Sequence, residues 1–247
     1  MVEITVKQGT ELSKEEIQEI NDLAQAANPV FPDDYIIDFH INRYNPVFYM
    51  HKIDGKVMAV QAFFNVKIFT PFHKKLLETI FVSIVFKNPK ADEHIKNFAK
   101  TGNLLFLKRK LGYFWFLNKF LFIFQTYNPK AIERIAPTFY EVYPKLDKPI
   151  SKNIYDFVRN FIDKYLKSEE IELSNYLIRE NKFDAPTPIT DSWKSSYKSK
   201  NEKRNQFFID HEIIKKKENE YFLEGRAVFF VGYYNFWSKI RQKLSFK

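Results

Sequence analysis

The residues best placed to do chemistry gather around one turn and one strand. The turn is Gln125-Thr126-Tyr127-Asn128-Pro129, which follows the apolar run Phe120 to Phe124 and precedes helix-like text from Lys130. That order reads as a strand-to-helix turn, a common ligand site in α/β proteins. Asn128 suits a helix cap because its side chain accepts orphan N–H groups. Pro129 suits the first turn because it has no N–H to leave unpaired. The strand is Leu76 to Phe86, in which Glu78 stands among apolar residues. A carboxylate in that setting is a candidate general base, although an outward-facing strand glutamate reads the same way. Other chemistries find no support. The chain has no cysteine, which excludes disulfides, thiol nucleophiles and cysteine-based zinc sites. No two of its five histidines have the spacing of a metal pair, and there is no P-loop, nucleophile elbow or zinc motif, so no metal is expected.

The rest of the composition describes the scaffold. With 45% hydrophobic residues the chain can bury a core. Its 27 phenylalanines against 6 glycines mean a core of bulky rings and few phosphate-cradling loops. The amino terminus, MVEITVKQGTEL, lacks the positive flank and apolar block of a secretory signal, and a cytoplasmic location is expected. Leu111 to Phe124 is interrupted by Asn118 and Lys119, too short to cross a bilayer, and reads as a buried helix end followed by a buried strand. Net charge is +9, with 13 Lys/Arg against 7 Asp/Glu from Asp191 onward. A solvated basic surface explains this more simply than nucleic acid, which is not expected as a partner.

Ser13 and Glu16 form a capping box ahead of Ile17, Ile20, Leu23 and Ala24, which predicts a first helix ending before Asn28-Pro29. A short helix is expected around Asp33 to Ile41. Asp54-Gly55 is a strong hairpin signal between strands Val47 to Ile53 and Lys56 to Phe69, with Leu76 to Phe86 as a third strand. Helical text follows from Ile95 to Lys110, broken or packed at Gly102. Beyond Pro144 the composition shifts. A helix is expected over Ser151 to Leu166, a strand over Ile171 to Ile178 and an exposed connection over Phe183 to Lys203. A charged helix over Asn205 to Glu218, an aromatic strand from Tyr221 to Tyr234 and a short basic helix through Trp237, Ile240 and Leu244 complete the chain.

The element order of the first 147 residues, with TYNPKAIERI at Thr126 to Ile135, resembles the GNAT acyltransferase superfamily, in which an Asn ending a strand is followed three residues later by Ala inside a helix. The resemblance implies an α/β (α+β) fold with a mixed, mainly antiparallel central sheet flanked by helices. It implies a GNAT-like domain at 1–147, with 148–247 an α/β extension packing on or completing it. Acetyl-CoA or a longer acyl-CoA would be the co-substrate, donating its acyl group to an amine acceptor that the sequence does not identify. Cofactor-binding positions would be Val85, Phe86 and Lys87 at the end of the strand, Lys100, Thr101, Gly102 and Asn103 as a pyrophosphate site, and Asn128. Free N–H groups near a helix start would serve the phosphates. Glu78 would be the general base, and Tyr140 or Tyr143 would replace the family's thiolate-protonating tyrosine, whose position is Ile135. That departure, and one glycine where the family has two, leave open a degenerate member that binds without catalysing. The aromatic stretch Tyr221 to Trp237 is a candidate homodimer surface, and Lys194 to Arg204 a candidate anionic-membrane or nucleic-acid surface.

Overall fold

A computed structural model describes residues 2–27, 31–91, 93–167, 172–180, 186–237 and 240. The chain forms two compact units, Met1–Val66 with Ile80–Asn118, and Lys67–Thr79 with Lys119–Lys247.

The first unit opens with β1 (Val2–Gln8) and α1 (Lys14–Ala27). The capping box closes as expected: Ser13 N donates to Glu16 Oε2 at 2.9 Å and Glu16 N to Ser13 Oγ at 3.2 Å. The short helix expected around Asp33 to Ile41 is present: helical residues begin at Tyr35, pass through a π-helical turn, Ile37–Ile41, and run on into α2 (Asn42–Tyr44). Then come β2 (Val47–Ile53), β3 (Lys56–Thr70) and β4 (His73–Lys87). Asp54 and Gly55 take φ of 50° and 80°, the positive pair that a two-residue hairpin turn requires. Strand order is β1-β2-β3-β4, antiparallel where β1 meets β2 and β2 meets β3. α3 (Phe98–Leu111) runs unbroken through Gly102.

The two faces of β2 and β3 are covered by different helices. Phe48, Met50, Val60 and Ala62 pack against Ile20 and Leu23 of α1. On the other face Tyr49, His51, Gln61 and Phe63 lie under α3, with the Phe63 and Phe106 rings stacked at 4.4 Å and His51 edge-on to Phe98 at 6.1 Å. A β-bulge between His51 and Lys52 sets this pairing. The turn aligns Ile53 with Lys56 and Lys52 with Val57, but beyond the bulge His51 meets Ala59 and Tyr49 meets Gln61. Met58 is the extra residue, and it shifts the register by one.

β3 and β4 are long enough to serve both units: 67–70 and 73–79 belong to the second. There follow β5 (Phe120–Thr126), α4 (Pro129–Ile135), β6 (Glu141–Tyr143) and α5 (Lys152–Phe161), which continues as a π-helical turn over Ile162–Leu166. β7 is Ile178–Glu180, shorter and later than the expected strand, whose start at Ile171 lies outside the described residues. The supposed exposed connection is structured from Pro186 onward: β8 (Thr187–Pro188) and α6 (Thr190–Ser192) lead to a π-helical turn at Trp193–Tyr197. Trp193 is buried and stacks on Tyr221 at 4.5 Å, an apolar plane that takes its ring out of water. The expected charged helix is also shorter. α7 (Glu202–Asp210) stops, and Ile214–Lys217 forms β9.

The aromatic stretch divides at Gly225. β10 (Glu220–Leu223) joins β8 and β9 in a three-stranded sheet, while β11 (Arg226–Tyr234) pairs antiparallel with β5, β6 and β7. Strand order in the larger sheet of this unit is β4-β5-β11-β6. Phe229, Phe230 and Val231 are fully buried there, so these rings complete a core instead of forming a surface. Phe124 faces Phe230 and Phe120 stacks on Tyr234 at 4.7 Å. Between those pairs Gly232 opposes Phe122, and the Phe139 ring fills the space. The fold class expected from the sequence, a mixed and mainly antiparallel sheet flanked by helices, is the one observed. Asn28, Pro29, Phe183 and Leu244, named in the sequence expectations, lie outside the described residues. No helix among the described residues is long and apolar enough to cross a membrane.

Candidate functional site

In the first unit the end of β4 is tied to the start of α3. Lys87 Nζ donates to the Ile95 carbonyl at 2.9 Å and lies over the Phe98 ring at 5.8 Å. Val85 is exposed, and Phe86 packs on the α1 face of the core. Of the four residues expected at a pyrophosphate site, none lies in a loop. Lys100, Thr101, Gly102 and Asn103 are all inside α3, which starts at Phe98 after Asn97 in the left-handed region. Thr101 N already donates to Asn97 O at 3.0 Å. The N–H groups without an acceptor inside the helix therefore belong to Phe98, Ala99 and Lys100, of which only Lys100 is among the four expected. Lys96 and Lys100 are exposed beside them.

Gly102 has a packing reason. A Cβ there would collide with Gln61 Oε1, and the same Gln61 donates through Nε2 to Asn103 Oδ1 at 2.7 Å. Lys100 thus faces solvent, whereas Gly102 and Asn103 face β3, so the four residues do not share one surface. Gly102→Ala is expected to lower unfolding free energy by about 1–3 kcal/mol, even though alanine is the better helix former by about 1 kcal/mol. In urea titrations the added Gln61→Ala change should recover more than additivity allows.

Sequence reasoning missed the buried polar layer beneath α3. Tyr49 OH, His51 Nε2 and Gln61 Oε1 are all buried without a hydrogen-bond partner of good geometry. Burial raises the Tyr49 pKa, opposed by the Arg109 guanidinium beside it, and burial lowers that of His51. Tyr49 and His51 alternate on β2, a readable signal. Their juxtaposition with Gln61 depends on the bulge, which leaves no composition signal.

In the second unit Asn128 caps α4 as expected, accepting from Lys130 N at 2.9 Å and Ala131 N at 3.2 Å. Its Nδ2 donates to Ser196 O at 3.1 Å, and Lys130 Nζ donates to Ser195 O. Glu133 accepts from Ser199 Oγ at 2.6 Å and Lys200 N at 2.7 Å, and these bonds hold its carboxyl below the usual range. The turn is therefore clamped to residues 195–200, and the carboxamide oxygen of Asn128 is already occupied by α4. Glu78 on β4 is largely buried and forms an ion pair with Lys67 of β3 at 3.8 Å. Tyr140 is exposed, with its N–H donating to Tyr233 O at 3.0 Å. Tyr143 differs, because its hydroxyl donates to Glu141, and burial followed by that carboxylate pushes its pKa up. Tyr140 is the more exposed of the two tyrosines, Tyr143 being half-buried, and Ile135 ends α4. Among the described residues no three His, Asp or Glu side chains are grouped closely enough to hold a metal ion.

No family model and no curated protein matches the sequence. Among solved structures the chain is similar to a ribosomal-protein-alanine N-acetyltransferase from Brucella melitensis biovar Abortus 2308, at 18% identity over 45% of this chain and 73% of that one, with a TM-score of 0.33. It is also similar to an acyl-CoA N-acyltransferase from Pseudomonas aeruginosa, at 12% identity over 59% and 93% of the two chains, with a TM-score of 0.40. A third is an aminoglycoside N-acetyltransferase in complex with CoA, at 12% identity over 45% and 70%, with a TM-score of 0.32. The likeness is one of fold, over 45% to 59% of this chain.

Proposed function

We propose that the chain is an acyl-CoA-dependent N-acyltransferase. The observation that carries this is the succession of β4, α3, β5 and α4, with the end of β4 fastened to the start of α3 and Asn128 capping α4. Residues 1–147 supply the acyltransferase body, and 148–247 complete it through β11. Val85, Phe86 and Lys87 take the pantetheine arm, and the first turn of α3 with Lys100 takes the pyrophosphate. Thr101, Gly102 and Asn103 keep that turn in place, and Asn128 acts through the turn it holds. The acceptor amine attacks the thioester carbonyl, its proton passes to Glu78, the C–S bond breaks, and Tyr140 protonates the departing thiolate. The acyl donor is acetyl-CoA or a longer homologue.

Release of coenzyme A thiol tests this cleanly, because the chain itself has no cysteine to react with a thiol reagent. Incubation with acyl-CoAs and a panel of primary amines is expected to release thiol at an amine-dependent rate. Glu78→Gln should reduce that rate by about 10²–10⁴-fold with folding intact. Absence of release with every donor and amine would remove the catalytic function. A second reading, binding without catalysis, is favoured by Ile135 in place of a tyrosine, and saturable acyl-CoA binding without thiol release would identify it. Within Tyr221 to Trp237 most of β11 is buried, so a homodimer built on that stretch would use the exposed Trp237 and the half-buried Tyr221, Phe222 and Leu223 of β10.

A further inference from the structure

The segment after α3 departs from its expected burial. Tyr113 is 75% exposed, Phe114 62% and Leu117 45%, and Leu104 and Leu105 on the outward side of α3 are exposed as well. These apolar groups adjoin a run of cations. Lys108, Arg109 and Lys110 are exposed, Lys108 Nζ lies 5.5 Å from the Tyr113 ring centroid, and from His94 to Asn118 there is no acidic residue. Gly112, at φ 85°, ends the helix and turns the chain so that the rings follow the lysines directly.

We propose that this patch is an interfacial anchor that seats the protein on an anionic lipid surface. Phe114, Leu117, Leu104 and Leu105 are the groups that enter the headgroup boundary, Tyr113 lies at its level with its hydroxyl in water, and Lys108 and Lys110 pair with lipid phosphates. Charge decides the occupant. An apolar patch whose own segment, His94 to Asn118, carries lysines and arginine and no carboxylate matches a uniformly anionic surface. A second copy of this chain would bring the same cations against one another. The inference does not depend on the acyltransferase proposal, since it is read from vesicle binding and not from thiol release.

Flotation of the full chain tests it, with vesicles of phosphatidylcholine alone and of phosphatidylcholine mixed with phosphatidylglycerol. The chain is expected to float with the mixed vesicles at low salt and to remain behind with phosphatidylcholine alone. Tyr113→Ser with Phe114→Ser should weaken binding about tenfold or more. Lys108→Gln and Lys110→Gln should each weaken it about fivefold and flatten its salt dependence. Lys215→Gln with Lys216→Gln, at exposed positions on β9, should leave binding unchanged, and thermal unfolding of each variant checks that the exposed changes spare the fold. Failure to float would overturn the proposal. So would flotation that persists in the aromatic variant, which would place the lipid contact elsewhere. A concentration-dependent dimer abolished by the aromatic variant, without vesicle binding, would assign the patch to a second copy of the chain instead.

Discussion

Gly232→Ala is expected to destabilise the protein by about 3 kcal/mol, and Gly232→Val to prevent accumulation of folded protein. Gly232 sits in β11 opposite Phe122 and Val142, and an added Cβ would lie 2.6 to 2.8 Å from three ring atoms of Phe139. That ring cannot swing aside easily. It is buried, with centroids 5.7 Å from Phe122 and 5.8 Å from Phe230. The backbone at Gly232 does not require glycine, and alanine in a strand interior would recover roughly 0.5–1 kcal/mol of chain entropy, so space alone sets the sign. Gly232→Ala combined with Phe139→Leu should lose less than the two changes summed, because the smaller side chain vacates the clash. Urea unfolding of the two single variants and the double variant measures this.

Glu16→Gln is the second large effect. Glu16 is buried at the start of α1, with 7% of its side chain exposed, and it receives Lys52 Nζ at 2.8 Å, Lys7 Nζ at 2.9 Å and Ser13 N at 2.9 Å. Burial pushes its carboxyl pKa up, but the hydrogen bonds from Lys52, Lys7 and Ser13 outweigh it and bring the value from 4.5 down to about 2. The folded value lies below the unfolded one. The stabilisation is therefore present in full above about pH 4.5 and is lost as pH falls toward 2. At full strength it would be about 3 kcal/mol, and solvent screening at Lys7, whose side chain is 33% exposed, reduces it to roughly 1–2 kcal/mol. Neutralising the carboxylate also leaves the largely buried Lys52 ammonium without its countercharge. The urea midpoint of the unaltered chain should fall steeply between pH 5 and pH 3, and that of Glu16→Gln, already lower at pH 7, should fall less over the same range.

The signals legible in the sequence are local ones. The Ser13–Glu16 box, the Asp54-Gly55 turn and the Asn128-Pro129 start of α4 each bond within three or four residues, so residue types alone determine them. Pairings between distant segments were not legible. β11 stands between β5 and β6, although about a hundred residues separate it from β5 in the chain, and its near-continuous apolar run suits an outer surface as well as a central strand. The bulge after His51 is equally silent, because an inserted residue changes register without changing composition. Trp193 shows the same limit. In Ser/Lys-rich text it reads as exposed, and it is buried only because Tyr221 of β10 returns to cover it. At the candidate site the residue types could be read but their use could not. Gly102 serves Gln61, and the Asn128 oxygen serves α4. Tyr113 to Leu117 was expected inside for its apolarity, but the turn at Gly112 carries it outward.

Calorimetric titration of the full chain with acetyl-CoA and longer acyl-CoAs tests the acyltransferase assignment most directly. The expected result is saturable binding at one site per chain, with a dissociation constant in the micromolar range for at least one donor, weakened about tenfold by Lys87→Ala combined with Lys100→Ala. Absence of heat with every acyl-CoA, from protein shown to be folded, would contradict it.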